Sequence, residues 1–326
     1  MNALIGAYTQ GCMLALFALG IYITFRIFNF PDITGEGSYV FGGAITAVLI
    51  VAGYNPILAT LAGFTAGMAS GFCTGLLHVK FGINSLISGI LVMTALYSIN
   101  LDTMGKSNVS MGDNATLLTY AERAVMGDPA VTPRTRENDF VDVLGWRPKK
   151  NDLIHLAAIF ALVAALTAVT YWFFRTNMGT AMRATGDNDQ MIRALGVNTG
   201  NMIIFGTALS NGFIGLSGSL FVQHSGFADV QMGMGMVVSG LASVIVGEAL
   251  VGSRSLGLTL VGAIMGSVLY KLVVSLVLSM GMPPNDLKLV SAVFVFTALV
   301  LPGFITKWRR GRTASAPTPG AAPARA

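Results

Sequence analysis

"LIGAYTQGCMLALFALGIYITF", residues 4–25, runs for 22 residues without an acidic or basic side chain. As a helix it would rise about 33 Å at 1.5 Å per residue, enough to cross a hydrocarbon core of about 30 Å. Similar runs recur outward from it at 39–52, 57–77, 86–101, 153–174, 202–222, 234–251, 256–279 and 287–305. The chain is 53% hydrophobic and only 11% charged, against about 25% charged in soluble domains. Lipid is therefore the expected solvent. The runs are too long and too uniformly apolar for the alternating strands of a membrane barrel, which are about ten residues each. The expected fold is an all-α integral membrane protein of about nine transmembrane helices.

Charge placement sets the expected orientation. Arg26, Lys80, Arg175, Arg183, Arg193, Arg254 and the cluster Lys307, Arg309, Arg310 and Arg312 fall on one side of such a bundle. The opposite short connectors, 53–56, 223–233 and 280–286, contain no Lys or Arg. Basic short loops stay in the cytoplasm, so the N-terminus is expected outside and the C-terminus cytoplasmic. The long segment 102–152 is then external; it carries both signs of charge, and loops of that length approach the size at which the rule loses force. The net charge of +5 reflects these connectors and the tail, not a nucleic-acid surface. Cys12 and Cys73 lie inside apolar runs and form no disulfide framework. The N-terminus lacks a basic leader and a small-residue cleavage site, so the first run reads as a retained anchor.

The chain also repeats itself. "FPDITGEGSYVFGG" from Phe30 matches "FADVQMGMGMVVSG" from Phe227 in Phe, Asp, a β-branched residue and a closing Gly. "TLAGFTAG" from Thr60 matches "TLVGAIMG" from Thr259, and "NSL" with "TAL" from Asn84 and Thr94 match "NDL" with "TAL" from Asn285 and Thr297. The order is kept at an offset of about 200 residues. The expected organisation is a transmembrane domain over 1–305: repeat 1 at about 4–101, the external loop 102–152, a linking helix 153–174, a cytoplasmic loop 175–201 and repeat 2 at about 202–305. A basic, then disordered, cytoplasmic tail follows at 306–326. Segments five apart cross in opposite directions, so the repeat has inverted topology, a recurrent construction of transporters.

Both Phe-led stretches place acids and helix breakers beside short apolar runs. A carboxylate at helix centre costs about 2.5–3.5 kcal/mol on insertion scales, so Asp32, Glu36 and Asp229 are expected to face protein or water. Together with Phe30 and Phe227 they are the candidate pathway residues. The alternative is that Asp32 and Asp229 cap the helices that follow them. Glu248 and Lys271 lie at different depths and are not expected to pair.

Between the fifth and sixth runs lies "RTNMGTAMRATGDNDQMIRALGVNTGNM", from Arg175. Asp187 or Asn188 is placed to cap a short helix over 189–195, and Gly196 to end it. Met191, Ile192 and Leu195 put an apolar face beside Arg193, which a solvated loop does not need and a partner protein does. Here the sequence resembles the permease subunits of bacterial ATP-binding-cassette importers of the branched-chain amino-acid type. Arg183 and Ala184, then Arg193, Ala194, Leu195, Gly196 and Asn198, then Gly212, Gly215 and Gly218 follow that family's pattern, as does "VLPGF" at 300–304. The stretch from Gly247 is similar to a tryptophan/tyrosine-type subgroup. The "PDITGEG" segment stands where the family usually has a His motif, and 102–152 is long.

The resemblance implies that the short helix is a coupling helix docking on a cytoplasmic ATPase subunit through Arg183, Asp187, Asp189, Met191, Ile192, Arg193, Ala194, Leu195 and Gly196. It further implies a second permease copy, identical or related, and an extracellular or periplasmic substrate-binding protein. The setting is a multi-pass protein of the bacterial inner membrane importing a small solute, an aromatic or branched-chain amino acid. ATP would be bound by the partner subunit, and the chain itself would be no enzyme and hold no cofactor or metal. "MGKS" at 104–107 has Asn100 where a P-loop needs its first glycine, "GLSG" at 215–218 has no base in reach, and the three histidines form no metal set. The competing reading is a secondary transporter driven by an ion gradient, which would share the repeat and the broken helices but needs no coupling loop.

Overall fold

A computed structural model describes residues 2–126, 149–252 and 255–281, and between 283 and 300 residues 283, 286, 289, 291–293, 296, 297 and 300. The expected ninth run, 287–305, and the tail 306–326 therefore lie largely or wholly outside the described residues. The other eight expected runs are helices. α1 (Asn2–Ile21) continues into a π-helical turn, Tyr22–Ile27, followed by α2 (Thr34–Val51), α3 (Pro56–Phe81), α4 (Ser85–Met104), strand β1 (Asn108–Ser110) and α5 (Leu117–Met126). After the undescribed 127–148 come α6 (Lys150–Arg175), α7 (Asn177–Asp187), α8 (Asp189–Ala194), α9 (Thr199–Ser225), strand β2 (Phe227–Asp229), α10 (Met236–Val251) and α11 (Leu256–Ser279). Seven of the described helices are long and apolar enough to cross a membrane, and α10 is a shorter apolar helix. The chain is a helical multi-pass membrane protein.

Local chemistry sets the boundaries. Asn55 accepts from the Ile57 amide at 2.9 Å with Pro56 opening α3, and Gly82, at φ 67°, closes it. The side chain of Asn84 accepts from Leu86 N–H at 3.0 Å to start α4. The first span breaks differently. The π-turn, Pro31, and Asn29 at φ 49° stop α1 from running into α2; Pro removes a donor, and a π-turn shifts the hydrogen-bond register.

The two most hydropathic spans, α6 and α11, are not the buried ones. α9 and the first span are the most buried and α6, the most hydropathic, the least. Gly, Ser, Thr and Asn at the helix contacts let backbones meet where no hydrophobic drive acts between helices, and large apolar side chains fill the first span beside them, with Leu16, Phe17 and Leu19 at 0% exposure. Gly63, Gly67, Gly71 and Gly75 form the side of α3 that lies on α9. A Cβ at Gly71 would stand 2.7 Å from Cβ of Asn211, and one at Gly75 would stand 2.8 Å from Cα of Ile204. Gly262 and Gly266 do the same for α11 against α10. The halves are laced crosswise, with α3 packed on α9 and α11 on α1, while α2 packs on α3 and α10 on α11.

Two elements depart from an all-helical reading. β1 and β2 pair antiparallel, Asn108 opposite Asp229 and Ser110 opposite Phe227, tying the start of 102–152 to the end of α9. α7 is an eleven-residue helix in a stretch where only 189–195 was expected to be helical.

Candidate functional site

The first broken segment feeds a buried polar seam among α2, α3 and α9. Asp32 is 4% exposed. Its Oδ1 accepts from the Thr34 amide at 2.8 Å, and its Oδ2 accepts from Nδ2 of Asn211 at 2.7 Å. Ser38 Oγ lies 2.7 Å from Oδ1 of Asn211 and 2.6 Å from Oγ of Ser70, and the hydroxyls of Thr34 and Thr74 are 2.7 Å apart. The Asp32 carboxylate both supports the first turn of α2 and is gripped by α9 across the bundle. Phe30, 5% exposed, packs edge-on to His78.

One turn along α2, Oε1 of Glu36 accepts from the Gly235 amide at 3.0 Å, at the start of α10. The N-termini of the two helices that follow the broken segments thus meet. A cavity of about 220 Å³ opens beside this joint, lined by Glu36, Val40, Met93, Tyr97, Asn100 and Met234 among others. The second broken segment behaves otherwise. Phe227 is 43% exposed on β2, and Asp229 Oδ1 accepts from the Gln231 amide at 2.7 Å, with Asn108 Nδ2 3.3 Å from Oδ2. Asp229 holds a turn and a strand edge. It is not the N-cap of α10, a position taken by Gly235 at φ 79°, because five residues of turn, 230–234, intervene.

Asn211, Ser38, Ser70, Thr74 and Thr34 escaped the sequence reading. A signal was present: Thr34 and Ser38, Ser70 and Thr74, and Thr207 and Asn211 are polar pairs four residues apart, hence on one face of each helix. Glu248, not expected to pair with Lys271, pairs with Arg26 at 2.7 Å. Oγ of Ser217 donates to the Met13 carbonyl at 2.7 Å, so the serine of "GLSG" is held by backbone.

The loop surface is built by α7 and α8. Asn188 Oδ1 accepts from Met191 N–H at 3.0 Å, starting α8, and Gly196, at φ 85°, ends the turn after it. Asp189 pairs with Arg193 at 2.8 Å, and Arg193 also donates to Oγ1 of Thr199 at 2.9 Å, bracing α8 against α9. The apolar triad divides: Met191 and Leu195 are 54% and 71% exposed, while Ile192 is 5% exposed and turned inward. Ala194, Gly196 and Asp187 are exposed, and Arg183 is half-buried with an Nε that has no partner.

α7 rests on the root of the first broken segment. A Cβ at Gly186 would collide with the Ile27 carbonyl and stand 3.1 Å from Cα of Phe28, and the Gly186 carbonyl lies 3.4 Å from Nδ2 of Asn29. The exposed knob and the Asp32 seam are therefore joined through α7 and the six residues 27–32. Gly186→Val must push α7 off this seat, costing about 1–3 kcal/mol as overpacking does. We expect a lower thermal midpoint in detergent and a loss of solute uptake of at least about tenfold, measured in membranes matched for protein content.

A bundle of membrane helices with an interrupted span, a buried polar seam and a braced loop helix has the form of a transport permease. The chain belongs to the family described as "Branched-chain amino acid transport system / permease component", which it matches over residues 3–300. It is 37% identical over 299 residues to the tyrosine transport system permease protein of Clostridioides difficile (strain R20291), covering 92% of this chain and 91% of that one. An uncharacterized protein of Rickettsia prowazekii (strain Madrid E) is 28% identical over 303 residues, 92% of this chain and 97% of that one. The autoinducer 2 import system permease protein LsrC of Salmonella typhimurium is 26% identical over 263 residues, 80% of this chain and 66% of that one. No solved structure matches the chain.

Proposed function

We propose that this chain is the membrane-spanning subunit of an ATP-binding-cassette importer that brings an amino acid, aromatic or branched-chain, into a bacterial cell across its inner membrane. The family and the relative named for tyrosine transport support the solute class. The observation that carries the reading is the α7–α8 surface: two exposed apolar side chains, Met191 and Leu195, on a capped and ion-paired helix seated on the broken span.

Closure of two ATPase subunits on ATP moves this handle in each of two permease copies. Through Gly186 the motion reaches residues 27–29 and then Asp32, where α2 begins. The seam and the Glu36–Gly235 joint are the parts that two arrangements of the bundle would exchange, opening the path alternately to either side. Nine crossings with an inverted repeat, the N-terminus outside and the C-terminus cytoplasmic, fit the crosswise lacing and the basic loops. A binding protein delivers solute at the face carrying β1, β2 and α5, where the Leu117 amide donates to Oε1 of Gln223 at 2.8 Å and His155 meets Glu122 at 2.8 Å. The permease carries out no covalent chemistry; ATP is bound and hydrolysed by its partners.

Proteoliposomes holding the permease with its ATPase and binding protein should take up L-tyrosine or L-leucine only with ATP inside the compartment that holds the ATPase. Dissipating sodium and proton gradients should leave the rate unchanged. Uptake that follows the ion gradient and ignores ATP would instead establish a secondary transporter.

A further inference from the structure

On the side of the bundle marked by the basic loops, a cavity of about 290 Å³ lies between the π-helical turn, α7 and the start of α11. Two arginines, Arg26 and Arg183, and one carboxylate, Asp187, line it; among the described residues Asp187 pairs with neither. Nε of Arg183 is buried without a hydrogen-bond partner. An unpaired buried donor is destabilising, and in native proteins it marks a missing ion or water. Arg26 gives its Nε to Glu248 at 2.7 Å, yet half of its side chain stays exposed. α11 begins at the cavity wall with Ser255 as its N-cap, and a helix N-terminus favours an anion. Ser255 also closes one end of an apolar groove of about 690 Å³ between α6 and α11, whose walls include Phe160, Tyr171, Leu258, Val261 and Met265. Beside it Arg175 stacks over Tyr171, 4.6 Å from the ring centre. Three arginines thus face two carboxylates, and this end of the groove is net positive.

We propose that an anionic phospholipid of the cytoplasmic leaflet occupies this place, its phosphate against Arg183 and Arg26 and an acyl chain along the groove. The guanidinium fork matches phosphate oxygens in a way a point charge does not. From Ser255 to Met265 is ten residues, about 15 Å of helix, which is one leaflet of a hydrocarbon core of about 30 Å. Leu258 and Val261 are 43% and 46% exposed and take hydrocarbon as their neighbour. A second copy of the chain would cover the groove without using the cations at its end, and a free phosphate would fill the cavity without using the groove. Since Arg183 belongs to α7 and Arg26 to the π-helical turn, the headgroup ties the loop helices to the root of the broken span. This binding goes beyond the importer reading and requires neither ATP nor solute.

The test uses the full chain with Trp146, Trp172 and Trp308 changed to Phe and Leu258→Trp as the reporter. It is reconstituted in vesicles of equal parts phosphatidylglycerol and phosphatidylcholine, one or the other brominated along its acyl chains. Bromine quenches indole fluorescence at close range, so each arm reads which lipid lies in the groove. Phosphatidylglycerol should be preferred at position 258 by at least about fivefold in relative binding constant. Leu91→Trp, at an exposed site on α4, should show no preference in the same vesicles. Arg183→Gln should lower the preference at 258 by at least about threefold, and Arg183→Lys should keep part of it. No preference at 258, an undiminished preference in Arg183→Gln, or loss of the preference on adding millimolar inorganic phosphate would each overturn the assignment, the last by showing a site for soluble anions. So would quenching at 91 with none at 258, which would show a groove covered by protein. The comparison of 258 with 91 needs no arginine variant to fold.

Discussion

With Met191→Glu and Leu195→Glu combined, the ATPase subunit is expected to be lost from the purified complex and ATP-driven uptake to fall to background. The two side chains are the exposed apolar pair of α8, one turn apart and 54% and 71% exposed. Charges there cannot be desolvated in a partner's groove without a large penalty, and interface anchors of this kind are typically worth 2 kcal/mol or more each. Both positions point to solvent in the isolated chain, so folding should be spared: yield and thermal midpoint stay within the range of neutral surface substitutions, about 0.5 kcal/mol. Ile192→Glu provides the contrast. Ile192 is buried, so a charge there should damage the fold itself and show as loss of protein.

Asn211→Leu is the second large effect. It removes the amide that donates to Oδ2 of Asp32 at 2.7 Å and the carbonyl that Ser38 approaches at 2.7 Å. Losing a hydrogen bond to a buried charged group costs about 1.5–3 kcal/mol, and inside the membrane water is not at hand to replace it. We expect a markedly lower thermal midpoint and loss of uptake. Adding Asp32→Asn removes the stranded charge, so the double variant should be more stable than Asn211→Leu alone. A double-mutant cycle with additive effects would show that the Asp32–Asn211 contact carries no coupling.

Much of this architecture is legible along the chain because membrane helices announce themselves one segment at a time. Residues 4–25 need no partner to be read as a span, and Pro31 with the polar "DITGEG" marks the break. Asn188 and Gly196 likewise act locally, and both cap and stop stand where their side chains and backbone freedom put them. What depends on distant partners is hidden. Ile192 follows Met191 directly, so it sits about 100° around α8 from it, and only the seat of α8 on α9 decides which of the two faces inward. The β1–β2 pairing joins residues 121 positions apart, with no local signal that "NVS" and "FAD" are strands. Asp229 reads like Asp32 in the repeat, yet it occupies a turn, because the residues after it coil before α10 begins whereas α2 begins at once. The polar seam was encoded in the four-residue spacing of Ser and Thr pairs, but their mutual facing depends on how the glycine side of α3 meets α9.

The account rests on α8 being the handle that a separate ATPase grips. A photo-crosslinking amino acid at position 195 tests this most directly, with the same residue at position 58, an exposed site at the other end of the bundle's α3, as control. The account predicts a covalent adduct with the ATPase subunit at 195 that forms in intact membranes and is absent at 58. No adduct at 195, under conditions where the complex transports solute, would contradict it.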